Sequence, residues 1–352
     1  MKTKNLATVF AILAAALYAV NVPLSKVLLR YVQPTMMAAL LYLGAGIGML
    51  LYSVIGKALG QTTIKEPLTK KELPYTIAMV VLDIAAPILL MLGIARTNSA
   101  NVSLLNNFEI VATSLIAFFV FKEVLSRRLA AAIVLVTLGS IILGFEGKGS
   151  FTFNIGSLFV LAACICWGME NNCTKMISSK SSVEIVIIKG CCSGLGSLIV
   201  ALILGEQIPS SVWILCALAL GFVAYGLSIN FYIMAQKHLG AAKTSAYYSI
   251  APFLGVAFSM ALLGERPSLQ FYAALIIMAA ATVLMVKDTI ALQHTHSHCH
   301  THTHEHRHGD LIHTHEHTHE HTHIHTHGKN ENIHSHRHTD LNEHDHTHTA
   351  QI

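Results

Sequence analysis

The stretch "GFVAYGLSINFYIMAQKHLGAAKTSAYYSIAPFLGVAFSMALLGE" (residues 221–265) holds two apolar runs parted by a short segment with Lys237, His238, Gly240 and Lys243. A helix needs about 20 apolar residues to cross a bilayer, and each run approaches that length. Working outward, the same alternation of apolar run and Lys/Arg, Pro or Gly break continues along the first 288 residues. It gives ten expected spans, at 5–29, 35–56, 75–95, 99–121, 129–145, 155–176, 183–204, 211–235, 244–263 and 269–286.

Composition agrees with that reading. The chain is 53% hydrophobic and 12% charged, with a mean hydropathy of +0.55, whereas soluble domains carry roughly 25% charged residues. A polytopic membrane protein is expected. The basic start and apolar run of "MKTKNLATVFAILAAALYA" resemble a secretory signal. The apolar stretch continues past Ala16, however, so a retained first helix is the better reading.

Orientation follows from basic residues in short loops. With the N-terminus inside, the cytoplasmic loops hold Lys57, Lys65, Lys70, Lys71, Lys122, Arg127, Arg128, Lys175, Lys180, Lys237 and Lys243. The opposite loops hold little beyond Arg30, Arg96, Lys148 and Arg266. A multi-pass protein of the cytoplasmic membrane with both termini cytoplasmic is expected.

The chain also repeats. "LYAVNVPLSK" (17–26) resembles "CWGMENNCTK" (166–175), and "NNFEIVATSLIAFFVFKE" (106–123) aligns with "YSIAPFLGVAFSMALLGE" (248–265), placing Glu123 opposite Glu265. Each half then has five spans, and an odd number sets the halves in opposite orientations, as in many secondary transporters. The expected fold class is an all-α integral membrane protein of ten transmembrane helices in two inverted five-helix repeats. The expected domains are 1–147 and 148–288, followed by a disordered tail at 289–352.

The second half resembles the EamA-type permeases of the drug/metabolite transporter superfamily. The resemblance rests on His238-Leu239-Gly240, Ala241, Pro252 and Gly264-Glu265, with Trp167-Gly168 fitting the start of the same repeat. It implies ten helices, with the first four of each half lining a central cavity, and a transport role without a named substrate. The first half departs from the commoner pattern, with Asn106, Asn107 and Glu109 where an apolar stretch with Pro is usual.

Ionisable groups deep in a span are costly to bury and face a cavity or one another. Asp83, Glu109, Glu170 and Lys189 qualify. Asn106 lies one helical turn from Glu109, with Asn107 beside it; Asn171 adjoins Glu170, which matches Asn21 through the repeat. Together with Trp167 and Tyr248, which offer stacking surfaces, these are the expected substrate-binding residues. Glu109 and Glu170 are expected to bind a cationic solute or exchange protons. The bland alternative is that Lys189 pairs with Glu170 or Asp83 and only ties helices. Lys26, near a span end, is expected to snorkel to the interface. Gly190 and Gly194 are expected at a close helix contact.

The tail begins "QHTHSHCHTHTHEHRHGDLIHTHEHTHEHTHIHTHG" (293–328), and 22 of the 23 histidines lie in it. Dense imidazole tracts bind transition metals by composition. The expected ligands are His294, His296, His298, Cys299, His300, His302, His304, His306, His308, His313, His315 and His317. Alternate residues of a straight strand stand about 7 Å apart, so the tract must bend for neighbours on it to share an ion. The remaining cysteines, Cys164, Cys166, Cys173, Cys191, Cys192 and Cys216, sit at apolar segments and read as small core hydrophobes.

No phosphate-binding Gly-rich loop or nucleophile constellation appears, so an enzyme is not expected. The leading reading is a permease for a small organic metabolite or drug, with protons as the candidate coupling ion. The alternatives are a Ni, Co or Zn transporter regulated by the tail, and a membrane-anchored metal buffer. No cofactor is required; Ni, Zn, Co or Cu are expected at the tail. The expected partners are a small-molecule substrate, the lipid bilayer, tail metal ions and a second copy in a homodimer, with no nucleic acid.

Overall fold

A computed structural model describes residues 2–58, 70–122, 125–145, 154–177, 181–239, 241–308 and 311–326. Expectations placed on Glu123, Lys65, Lys148, Lys180, Gly240 and residues 327–352 lie outside the described residues. Contacts divide the chain into two units, Met1–Leu292 and Gln293–Ile352.

The first unit is helical. Its elements are α1 (Lys2–Ala19), α2 (Asn21–Leu28), α3 (Pro34–Ala58), α4 (Leu73–Arg96), α5 (Ser99–Leu105), α6 (Phe108–Phe119), α7 (Arg127–Gly144) and α8 (Ile155–Met176). There follow α9 (Ser182–Ile188), a π-helical turn (Lys189–Ser193), α10 (Gly194–Ile203), α11 (Ser211–Gly221) and a second π-helical turn (Phe222–Leu227). The last are α12 (Ser228–Leu239), α13 (Ala241–Tyr248), α14 (Ala251–Leu263) and α15 (Leu269–Leu292). Each of the ten expected spans falls on one helix or on a helix pair. Nine stretches among the described residues are long and apolar enough to cross a membrane. The tenth expected span, on α8, carries Glu170, Asn171, Asn172 and Lys175 in its last turns.

The bundle is dressed for lipid. Large aliphatics such as Ile199, Leu215 and Ile276 face outward, while Ala11, Ala14, Ala15, Ala38 and Ala39 are buried. Small residues inside let backbones approach, since dispersion and not water exclusion drives packing in a bilayer. Polar caps open several helices. Ser126 accepts from Leu129 N at 3.0 Å at the start of α7, and Asn154 from Gly156 N at 2.7 Å at the start of α8. The two ends of the bundle are named from these contacts. The proximal end holds Ser126, whose hydroxyl donates to Asp288 on α15; the distal end holds Asn154 and the starts of α3 and α5.

α3 is the most closely embraced helix. A Cβ built on Gly221 would lie 2.0 Å from the Leu41 carbonyl oxygen, and one on Gly44 2.1 Å from that of Leu218. Gly190 meets Gly46 backbone to backbone and Gly194 meets Leu43, so the glycines four apart do form a close contact, and their partner is α3. Both π-helical turns pack on α3. Such turns insert one residue into the helical ladder and recur at functional sites; here they carry Lys189 and Tyr225.

Helix breaks also fall at comparable places, one residue out of step with the alignment of 106–123 with 248–265. α5 gives way to α6 at Asn106-Asn107, and α13 to α14 at Ser249-Ile250.

The second unit carries paired strands among its described residues. There β1 (Gln293–His308) and β2 (Leu311–Thr326) pair antiparallel, in a stretch whose composition suggests disorder. Strict alternation with frequent Thr suits an extended backbone. The register sets His294 opposite His325 and continues His-on-His to His306 opposite His313.

The α3 packing leads to a test. Gly221→Ala forces backbones apart and is expected to destabilise the detergent-solubilised protein by about 1–3 kcal/mol or more. Gly196→Ala, whose new methyl meets only the tip of Ile84, is expected to cost less. Thermal unfolding of the two variants checks the order.

Candidate functional site

Two adjoining hollows, of about 240 Å³ and about 670 Å³, share Tyr18, Glu109, Asn171, Lys189 and Tyr248 in their walls. The smaller is closed in by Tyr42, Trp167, Glu170 and Tyr225. The larger adds Asn106, Asn107, Thr113, Gln236, Ser245 and Ser249, and reaches toward the proximal ends of α8 and α12.

A buried charge cluster forms one wall. Lys189 Nζ stands 3.0 Å from Glu170 Oε1 and 3.3 Å from Asp83 Oδ2. Asp83 is fully buried and Glu170 nearly so, while the Lys189 side chain keeps 20% exposure toward the cavity. Tyr42 donates its hydroxyl to Asp83 at 3.0 Å, and Trp167 Nε1 donates to Tyr42 at 3.3 Å. Thr174 donates to Glu170. The expected tie between Lys189 and Glu170 or Asp83 is therefore present with both, and it does not take Lys189 or Glu170 out of the cavity wall.

Glu109 enters from the opposite side, one residue into α6. Asn171 Nδ2 donates to it at 2.8 Å, and Thr113, whose hydroxyl is bonded to the Glu109 carbonyl, lies within 3.3 Å of the same amide. Glu109 lies just past the α5–α6 break, where the amides of Asn107, Glu109 and Ile110 bond three residues back in tightened turns. Asn107 turns back to the Leu104 carbonyl at 3.0 Å, while the buried Asn106 Oδ1 has no hydrogen-bond partner.

An aromatic ring system completes the lining. Tyr18 lies 5.9 Å from both Tyr225 and Tyr248, Tyr42 5.5 Å from Tyr225, and Tyr232 5.2 Å from Tyr248. The electron-rich faces of such rings attract cations.

Of the expected binding residues, Glu109, Glu170, Lys189, Asn106, Asn107, Asn171, Trp167 and Tyr248 all line the hollows. Asp83 and Asn21 do not. Asp83 stands behind Lys189, and Asn21 stands behind the wall, donating to the Tyr225 hydroxyl at 2.9 Å. Lys26 does not snorkel outward; it grips the carbonyls of Ile94 at 2.5 Å and Thr97 at 2.7 Å, at the end of α4. Tyr42, Gln236 and Ser245 went unnoticed in the sequence. Tyr42 is one of two tyrosines in the Gly- and Ala-rich α3, the other being Tyr52. Among the described residues no group of three or more His, Cys, Asp or Glu is placed to hold a metal ion.

The charge cluster makes a stability forecast. Lys189→Met leaves two buried carboxylates without their shared cation and is expected to destabilise by about 3–5 kcal/mol. Adding Asp83→Asn should recover part of that loss, read as a rise in unfolding temperature over the single variant.

Comparison with known proteins gives this geometry its setting. An uncharacterized transporter of Methanothermobacter thermautotrophicus is 26% identical over 275 residues, covering 74% of this chain and 80% of that protein. A crystal structure of another protein shares the fold, with a TM-score of 0.59 at 17% identity over 81% of this chain and 97% of the other. The model of the EamA-like transporter family matches twice, over residues 5–145 and 154–287. The chain is thus a multi-pass membrane protein that belongs to the EamA-like transporter family.

Proposed function

We propose that the chain is a secondary transporter of the cytoplasmic membrane that carries a small organic cation through the Glu109–Glu170 cavity in exchange for protons. The observation that carries this reading is the imbalance of charge around the hollows. Asp83 and Glu170 share one amine, Lys189, and Glu109 stands in the same wall with an amide partner, a surplus of two negative charges when all four are ionised. Uncompensated charge in a low-dielectric bundle is costly, so the site takes up either protons or a cation. A solute amine that displaces protons there links the two fluxes. Lys189 already serves two carboxylates, which disfavours an anionic solute. The tyrosine faces suit an apolar body carrying an ammonium.

The double family match and the paired helix breaks support two inverted five-helix halves, 1–147 and 148–288, working around this site. The excess of basic residues in alternate loops supports cytoplasmic termini. In this reading the tail, 289–352, is an accessory that binds Ni, Zn, Co or Cu. His-on-His pairing in the hairpin register favours that role, because opposite Cα atoms lie about 4.5–5.5 Å apart, closer than alternate residues along one strand. A metal pathway through the membrane and a mere metal anchor are less well supported, given the donor types around the cavity.

A thermal-shift screen of the tail-deleted protein against organic amines, carboxylates and metal ions tests this. An amine present at a hundredfold its Kd is expected to stabilise by about 2.7 kcal/mol, and Glu109→Gln should abolish the shift. Stabilisation by carboxylates, or by amines equally well in Glu109→Gln, would contradict the reading. Calorimetric titration with Ni²⁺ is expected to show several ions bound to the full chain and none after deletion of 293–352. Equal uptake by both would remove the tail from the scheme.

A further inference from the structure

The distal end holds a pair of contacts that neither the cavity nor its chemistry uses. A left-handed glycine follows each of α10 and α14, Gly205 at φ 73° two residues past the first and Gly264 at φ 64° next to the second, and each glycine is followed by a glutamate. Positive φ is cheap for glycine, and it turns the next residue back over the bundle. Glu206 then accepts from two consecutive backbone amides at the start of α3, Thr35 N at 3.1 Å and Met36 N at 2.6 Å. Glu265 does the same at the start of α5, accepting from Ser99 N at 2.9 Å and Ala100 N at 2.8 Å.

The first amides of a helix have no partner within it, and they carry the positive end of its dipole. A carboxylate across two of them makes a pair of charge-assisted hydrogen bonds. Both glutamates belong to the half matched over 154–287, and both capped helices to the half matched over 5–145. The same seam holds Gln33, which accepts from Gln207 N at 2.7 Å, and Tyr31 stacked on Trp213 at 3.9 Å. The cavity meanwhile widens toward the proximal end.

We propose that Glu206 and Glu265 are a two-point latch that holds the distal side shut, and that the cavity opens distally only when both carboxylates leave the amides of α3 and α5. They are positioning residues, touching no solute. The inference rests on the transport role of the family and is independent of which solute is carried. Its release frees the starts of α3 and α5 from the corners after α10 and α14.

Access to the cavity tests this in the full chain. With its own cysteines replaced by alanine and a reporter introduced by Ile229→Cys on the cavity wall, the reconstituted protein is labelled with a membrane-impermeant maleimide from the distal side. Carrying Glu206→Gln and Glu265→Gln together is expected to raise that labelling rate at least about tenfold, from the loss of bonds to charged groups. Each single variant should give less. Hydrogen exchange at Thr35, Met36, Ser99 and Ala100 reports separately that the contacts are gone. Faster exchange at these amides with unchanged distal labelling would overturn the latch and leave two plain helix caps. Should the paired Gln variant fail to fold, Glu206→Asp with Glu265→Asp keeps the charge and shortens the reach. It is held to the same two readouts, with a smaller rise expected and no rise refuting the latch.

Discussion

A lysine shared by two buried carboxylates sets the terms for everything around it. Lys189 is tethered to Asp83 on α4 and Glu170 on α8, and it sits where a π-helical turn begins. An ion pair so deep in an apolar bundle needs further hydrogen bonds to offset its desolvation. Tyr42 and Thr174 supply them, and Trp167 donates in turn to Tyr42. Those donors fix the wall of the cavity, and the close glycine contacts on α3 bring that wall within reach. The wall is rigid because its charges tolerate few alternatives.

The opposite wall is built differently. Glu109 rides on a helix that starts afresh after Asn106-Asn107, and its nearest partner is a neutral amide, Asn171. One side of the cavity thus offers two carboxylates that share an amine, and the other a carboxylate held by an amide. That asymmetry is chemically useful. The paired cluster preserves the architecture, while the carboxylate without a cation is the group with capacity to exchange a partner.

Much of this was legible in the sequence. The ten spans follow from apolar runs of membrane length, and Glu109, Glu170 and Lys189 stand out because a charge inside such a run demands a reason. Asp83 and Asn21 read the same way, yet they lie behind the wall; polarity marks a residue as buried with a partner and not which side of the partner faces the hollow. The latch was half visible. Gly264-Glu265 stands out as a pattern, but the partners of Glu206 and Glu265 lie 165 to 171 residues away along the chain, which no local periodicity reports. Tyr42 was hidden for the opposite reason, since a tyrosine in an apolar helix ordinarily fills core. In the tail, composition suggests metal ligands and polarity suggests disorder, while the alternation that suits β1 and β2 is equally present.

The most direct measurement is a structure of the reconstituted protein with an organic ammonium solute bound. Its nitrogen is expected within hydrogen-bond or ion-pair distance of Glu109, between the rings of Tyr18 and Tyr248, with Lys189 still joined to Asp83 and Glu170. A solute seated on the lipid-facing surface, or held by Lys189 through an acidic group, would contradict the central claim.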